Sequence, residues 1–91
     1  MELSTAVTLL SALAQPTRYR CVQMLFERGS CTAGELASGL EVPANTMSSH
    51  LTILTHAGLI SPTKDGRHVR YQANGSSLSG LIEQLGKLDP R

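Results

Sequence analysis

Apolar residues return every three or four positions over residues 3 to about 14, where Leu3, Val7, Leu10 and Leu13 form a row that Ala6 and Leu9 widen. That is the period of a helix with one buried side. Gln15-Pro16-Thr17 interrupts the row, and proline fits the first turn of a new helix, where its missing N–H leaves no bond unmade. The second helix runs to about Arg28, with Cys21, Val22, Met24, Leu25 and Phe26 as its apolar positions, and Gly29-Ser30 ends it. Thr32-Ala33-Gly34-Glu35 then matches a capping box, in which a hydroxyl and a carboxylate each satisfy a free backbone N–H at a helix start. The third helix is short, roughly residues 33–40. Glu41-Val42 makes a turn and Pro43 opens a fourth helix. Leu36 and Leu40 on one side, with Met47, Leu51 and Leu54 on the other, can pack across that turn as a helix-turn-helix.

Beyond Ala57-Gly58 the pattern alternates, as in strands. Asp65-Gly66 is a strong two-residue hairpin signal, since both positions tolerate positive φ. The strands cover about residues 59–64 and 67–73, and Pro62 confines the first of them to an edge. Asn74-Gly75-Ser76 turns the chain into a last helix, about residues 77–88, with Leu78, Leu81, Ile82, Leu85 and Leu88. Gly80 and Gly86 weaken that helix by roughly 1 kcal/mol each relative to alanine. A weak, apolar terminal helix needs something to pack on. The expected fold is mainly α with a small β-hairpin: a winged helix-turn-helix of order α-α-α-α-β-β-α, in one domain over residues 1–91.

The fourth helix carries most of the chemistry. With Met47 at the centre of its apolar side, steps of about 100° put Leu51 and Leu54 beside it. Asn45, Ser49, Thr52 and His56 fall nearly opposite, with Ser48 at one flank. A solvated face is ordinarily dressed with Lys and Glu, whereas this one is uncharged and covered with short donors and acceptors. In a major groove such groups can meet base edges or phosphates, and Asn45 can make a paired contact with adenine. The positive end of the helix dipole favours the same anion. His50 lies nearer the apolar side, where a hydrogen-bonded core histidine is expected. His50 and His56 fall on different faces, so no helical metal pair forms.

Composition narrows the class without naming it. Ninety-one residues with one Phe, two Tyr and no Trp make a thin core, so a second copy of the chain is expected to supply part of the stability. A net charge of +1 decides nothing, because distribution matters more than the sum. The distribution does favour nucleic acid. Lys64, Arg67 and Arg70 against Asp65 make residues 61–71 the most basic local stretch, directly after the uncharged helix. Arg67, beside the Gly66 tip, can sit on phosphate or enter a minor groove. No apolar stretch is long enough for a membrane span and no secretory signal is visible. Cytoplasmic residence with reduced thiols is therefore expected.

Several segments together resemble a known family: Gln15-Pro16-Thr17-Arg18, Gly34-Glu35-Leu36-Ala37, Ser48-Ser49-His50-Leu51 with Leu54, Ala57-Gly58-Leu59-Ile60, and Gly66-Arg67 with Tyr71. Over about residues 9–73 the chain looks like the ArsR/SmtB family of bacterial transcriptional regulators. The resemblance implies a homodimeric winged-helix repressor whose fourth helix reads double-stranded operator DNA and which an effector releases. It implies Asn45, Thr46, Ser48, Ser49 and Thr52 for DNA, with Lys64 and Arg67 for the wing. It further implies Leu3, Val7, Leu10, Leu78, Leu81, Ile82 and Leu85 for the partner chain. Two departures bear on cofactors. Metalloid-sensing members carry a Cys-Val-Cys-Asp type motif at the third helix, where this chain has Thr32-Ala33-Gly34-Glu35. Zinc-sensing members need carboxylate and imidazole ligands on the last helix, which offers only Glu83. No metal site and no cofactor is carried over. Pro62-Thr63 also stands where many relatives place arginine.

The two cysteines leave an alternative open. Cys21 falls at an apolar position and is expected in the core. Cys31 directly precedes the capping Thr32, where a helix N-terminus lowers a thiol pKa; it is either a thiol sensor or an ordinary surface cysteine. A bridge between them is not expected. Cys21 lies roughly 10 Å before its helix end, and a disulfide needs Cα atoms within about 7 Å. Two further classes are weaker. A protein-interaction module would need an apolar patch on the outer face of the fourth helix, where only Ile53 is near. An enzyme would need a nucleophile–base pair, a phosphate loop or a metal cluster, and the sequence shows none at motif spacing.

Overall fold

Five helices and three strands make up the computed structural model, which describes residues 1–89: α1 (Leu3–Leu13), α2 (Pro16–Arg28), β1 (Cys31–Thr32), α3 (Ala33–Leu40), α4 (Ala44–Ala57), β2 (Ile60–Asp65), β3 (His68–Ala73) and α5 (Gly75–Gly86). The helices follow their local signals closely. At the α1–α2 corner, Gln15 Oε1 accepts the Arg18 N–H at 2.8 Å, while Arg18 Nε donates to the Ala12 carbonyl at 2.7 Å. One side chain thus starts α2 and the next closes the open carbonyl end of α1. The capping box of α3 forms as expected, with Thr32 N donating to Glu35 Oε1 at 2.8 Å and Glu35 N to Thr32 Oγ1 at 3.1 Å.

The turn of the helix-turn-helix rests on a non-glycine residue in left-handed geometry. Glu41 has φ 56° and ψ 48°, and Val42 N reaches the Ala37 carbonyl at 2.9 Å while Glu41 N reaches Ser38 at 3.3 Å. That is the Schellman arrangement. It recurs at the end of α4, where Gly58 (φ 87°) takes the left-handed position and Leu59 N donates to the Leu54 carbonyl at 3.1 Å. Leu36 of α3 and Met47, Leu51 and Leu54 of α4 join one buried cluster with Leu9, Leu25, Leu59 and Ile60. The packing expected across the turn is present.

The sheet corrects the expected order. It has three antiparallel strands in the order β1-β3-β2, with Cys31 opposite Tyr71 and Thr32 opposite Arg70. A two-residue strand is too short to show alternation, so nothing local announces β1. The hairpin is also shifted by one residue. Asp65 pairs with His68, and Gly66 alone in the turn has positive φ, at 62°. With Gly66-Arg67 as the central pair, only the first position needs a left-handed conformation, and glycine fills it. The last helix starts earlier than expected, at Gly75, and ends at Gly86, before Leu88. Asn74 explains the early start. Its Nδ2 donates to the Gly58 carbonyl at 2.8 Å and its Oδ1 accepts from Ser61 Oγ at 2.8 Å. Ser77 Oγ adds a bond to the same Gly58 carbonyl at 2.9 Å. The start of α5 is therefore tied to the end of α4.

α1 turns an unexpected face inward. Ala6, Leu9 and Ala12 are buried, while Leu3 and Val7 are 71% and 54% exposed and Leu10 is also exposed. Both rows have helical spacing. The row with two alanines wins because small side chains let the helix axis approach its neighbours closely.

Candidate nucleic-acid interface

α4 spans Ala44–Ala57 and contains no Asp, Glu, Lys or Arg. Asn45, Thr46, Ser48, Ser49 and Thr52 all stand exposed, and Met47, Leu51 and Leu54 are buried beneath them. Thr52 Oγ1 donates to the Ser48 carbonyl at 3.0 Å and Ser49 Oγ to the Asn45 carbonyl at 3.5 Å. These two hydroxyls direct their protons along the helix and leave oxygen lone pairs outward, suited to amino donors of bases. Among the described residues, the side chains of Asn45, Thr46 and Ser48 have no intramolecular hydrogen bond and remain available. The residue before α4 is Pro43, which provides no side-chain cap. The first N–H groups of α4 therefore lack a capping partner and carry the helix's partial positive charge outward.

The wing adds cations beside this face. Lys64 and Arg67 are exposed, and among the described residues neither makes an ion pair. Arg70, counted in the basic stretch from sequence, does not join them. Its guanidinium turns back onto Ser30 and Glu35. A shallow cleft of about 180 Å³ lies between Thr52, Thr55 and His56 of α4 and Pro62 and Tyr71 of the sheet, so helix and wing root share one surface.

A family model described as a helix-turn-helix domain matches residues 13–63. Over 85 residues the chain is 38% identical to the HTH-type transcriptional regulator CmtR of Mycobacterium tuberculosis, covering 93% of this chain and 71% of that protein. It is 38% identical over 80 residues to the HTH-type transcriptional repressor SmtB of the same organism, covering 88% of this chain and 58% of that protein. The chain belongs to the ArsR/SmtB family. The fold agrees: an ArsR-like transcriptional regulator from Rhodococcus superposes with a TM-score of 0.85 at 28% identity, covering 93% of this chain and 79% of that one. A winged helix-turn-helix regulator of transcription that binds DNA is the function of this family.

The residues implied for the partner chain divide into two sets. Leu3, Val7, Leu10, Ile82 and Leu85 are exposed on α1 and α5, which pack side by side. Leu81 is a correction, being 2% exposed and part of the protomer's own core, where it holds α5 down. Leu78 is half-buried at the edge of an apolar groove of about 280 Å³ with Leu13, Tyr19, Val22 and Phe26. Phe26, expected among the buried positions of the second helix, is exposed there instead.

The thiols are also corrected. Cys31 is 1% exposed, because β1 pairs alongside β3 and the side chain joins the core cluster, and both cysteines are free. Burial pushes the Cys31 thiol up, helped by the Glu35 carboxylate and opposed by Arg28 and Arg70. Burial outweighs the nearby guanidinium charges, so Cys31 is neither the lowered-pKa thiol nor the surface cysteine that the sequence left open. Burial, with Cys31 nearby, raises Cys21 to about 11. His50, expected as a hydrogen-bonded core histidine, is only half-buried, and its Nδ1 has no hydrogen-bond partner among the described residues.

Proposed function

We propose that this chain is a homodimeric repressor, which sets one α4 helix in each of two successive major grooves of a two-fold operator and lets go when an effector changes the spacing of the pair. The observation that carries it is the uncharged, outward amide and hydroxyl face of α4, with Asn45, Thr46 and Ser48 unpaired among the described residues, next to two wing cations that make no ion pair. Asn45, Thr46, Ser48, Ser49 and Thr52 are the proposed readers, with Lys64 and Arg67 on phosphate. The exposed Leu3, Val7, Leu10, Ile82 and Leu85 are the surface for the second copy. Shielding these exposed apolar side chains from water favours pairing of protomers. Among the described residues no helix is long and apolar enough to cross a membrane, in keeping with work on DNA in the cytoplasm.

The test is fluorescence anisotropy on DNA from upstream of its own gene, with light scattering to measure mass. Wild type should bind as a dimer and prefer that DNA over scrambled sequence. Asn45→Ala should relax discrimination at one adenine per half-site by about 1–3 kcal/mol. Discrimination equal to wild type would remove Asn45 from the readers. A Val7→Glu/Leu85→Glu double variant that stays dimeric would place the partner surface elsewhere.

A further inference from the structure

The root of the wing packs on the helices, with Ile60 buried in the core and Tyr71 and Ala73 partly buried against it. β2 continues from α4, and on the far side β3 meets β1 through only two residue pairs. Arg70 adds a polar connection to this packing. From the middle of β3, its Nε donates to Ser30 Oγ at 3.0 Å and its Nη2 to the Ser30 carbonyl at 3.2 Å, across 40 residues of chain. The same Nη2 lies 3.4 Å from Glu35 Oε1. That oxygen is already held by the Thr32 N–H of the α3 capping box at 2.8 Å, and Thr32 sits directly opposite Arg70 in the sheet. A carboxylate fixed by a helix cap thus waits for a guanidinium delivered by strand register. The planar fork of arginine can satisfy both Ser30 and Glu35, which a single ammonium cannot do with the same geometry.

We propose that Arg70, clasped by Ser30 and Glu35, is a positioning residue that sets the angle of the wing against α4 and makes no contact with DNA. Its consequence for operator binding rests on the repressor reading above; the clasp itself does not. In this scheme the clasp turns the hairpin so that Lys64 and Arg67 reach the backbone while α4 occupies the groove. Loss of the clasp frees the hairpin without changing the number of cations that meet phosphate.

The test uses Arg70→Gln, Arg70→Lys and Glu35→Gln in the full chain, with Arg67→Ala as the reference for a lost phosphate contact. Gln at position 35 can still accept from Thr32 N–H, so the start of α3 is preserved. Amide hydrogen exchange is measured in the free protein over residues 68–73. Operator affinity is measured as a function of salt, and hydroxyl-radical footprinting reports DNA protection. Arg70→Gln and Glu35→Gln should each speed exchange in β3 about tenfold or more and weaken operator binding several-fold. Their salt slope should equal that of wild type, with protection under the wing weakened and spread over neighbouring positions and protection under α4 unchanged. Arg70→Lys should fall between. A loss of stability alone would lower Tm while leaving the footprint of the bound complex intact, and that outcome overturns the proposal. So does a salt slope reduced in Arg70→Gln as much as in Arg67→Ala, or β3 exchange unchanged in both variants. If Arg70→Gln fails to fold, Glu35→Gln decides by the same readouts. A wild-type chain that bound no DNA would defeat the repressor reading, and the exchange measurements would still decide the clasp.

Discussion

Arg67→Ala should flatten the salt dependence of operator binding, and the size of the change follows from counting the cations free to meet phosphate. The chain has eight Lys and Arg residues. α4 contributes none. Arg18 is engaged with the Ala12 carbonyl and Arg70 with Ser30 and Glu35. Of the remaining six, Lys64 and Arg67 stand on the wing beside α4, and if these alone meet the backbone a dimer brings about four phosphate contacts. At about −0.9 per phosphate, the slope of log affinity against log salt is about −3.6. Between 50 and 200 mM salt, wild-type affinity should fall about 150-fold. Without the two Arg67 side chains the slope becomes about −1.8 and the same change in salt costs only about 12-fold. Preference for operator over other DNA should stay the same, because backbone contacts carry no sequence information. Anisotropy titrations at several salt concentrations measure both quantities. A wild-type slope steeper than about −6 would show that cations outside the wing grip the backbone. An unchanged slope in Arg67→Ala would show that the wing tip stays off the DNA.

Other perturbations probe the frame beneath this surface. Glu41 occupies a left-handed conformation that costs a side chain about 1–2 kcal/mol, partly offset by the greater freedom of glycine when unfolded. Glu41→Gly should therefore stabilise by about 0.5–1 kcal/mol and raise Tm by about 3–6 °C; a lower Tm would refute the strain. The hydrogen bonds from Thr32 hold the Glu35 carboxyl below the usual carboxylate range, with Arg70 helping. A depressed folded value stabilises above the free-glutamate value of about 4.3, and this is lost as pH falls through the folded value. Glu35→Gln should accordingly flatten the acid limb of a Tm–pH curve. The buried thiols work in the opposite sense. With Cys21 raised to about 11, its contribution is complete below about pH 8.5 and declines as pH rises toward the folded value. Native protein at pH 8 should leave Ellman's reagent unreacted until denaturant is added, and rapid reaction of Cys31 would restore the thiol-sensing alternative.

The starts and ends of α1 to α4 and the uncharged outer face of α4 were legible in the residues because each depends on neighbours within one or two turns, whereas the start of α5 was set by bonds to the end of α4. Gln15-Pro16 opens α2, Thr32 and Glu35 cap α3, Gly58 closes α4, and Met47, Leu51 and Leu54 mark the side of α4 that is buried. Local hydrogen bonding and the 3.6-residue period are properties of a short segment. They would be the same in any fold that kept the segment helical.

What the tertiary structure alone decided involves partners distant in the chain. α1 carries two apolar rows of equal period, and only the close approach of other helices selects Ala6, Leu9 and Ala12 for the core over Leu3, Val7 and Leu10. Cys31 reads as a surface residue until β1 pairs beside β3 and the side chain joins the core, where burial raises the thiol despite Arg28 and Arg70. Arg70 has the same charge as Arg67, and its role differs because strand register places it opposite Thr32, within reach of Ser30 and Glu35. Composition and period specify what a segment can become. Burial and pairing are relations between segments, and they arise only when the chain closes on itself.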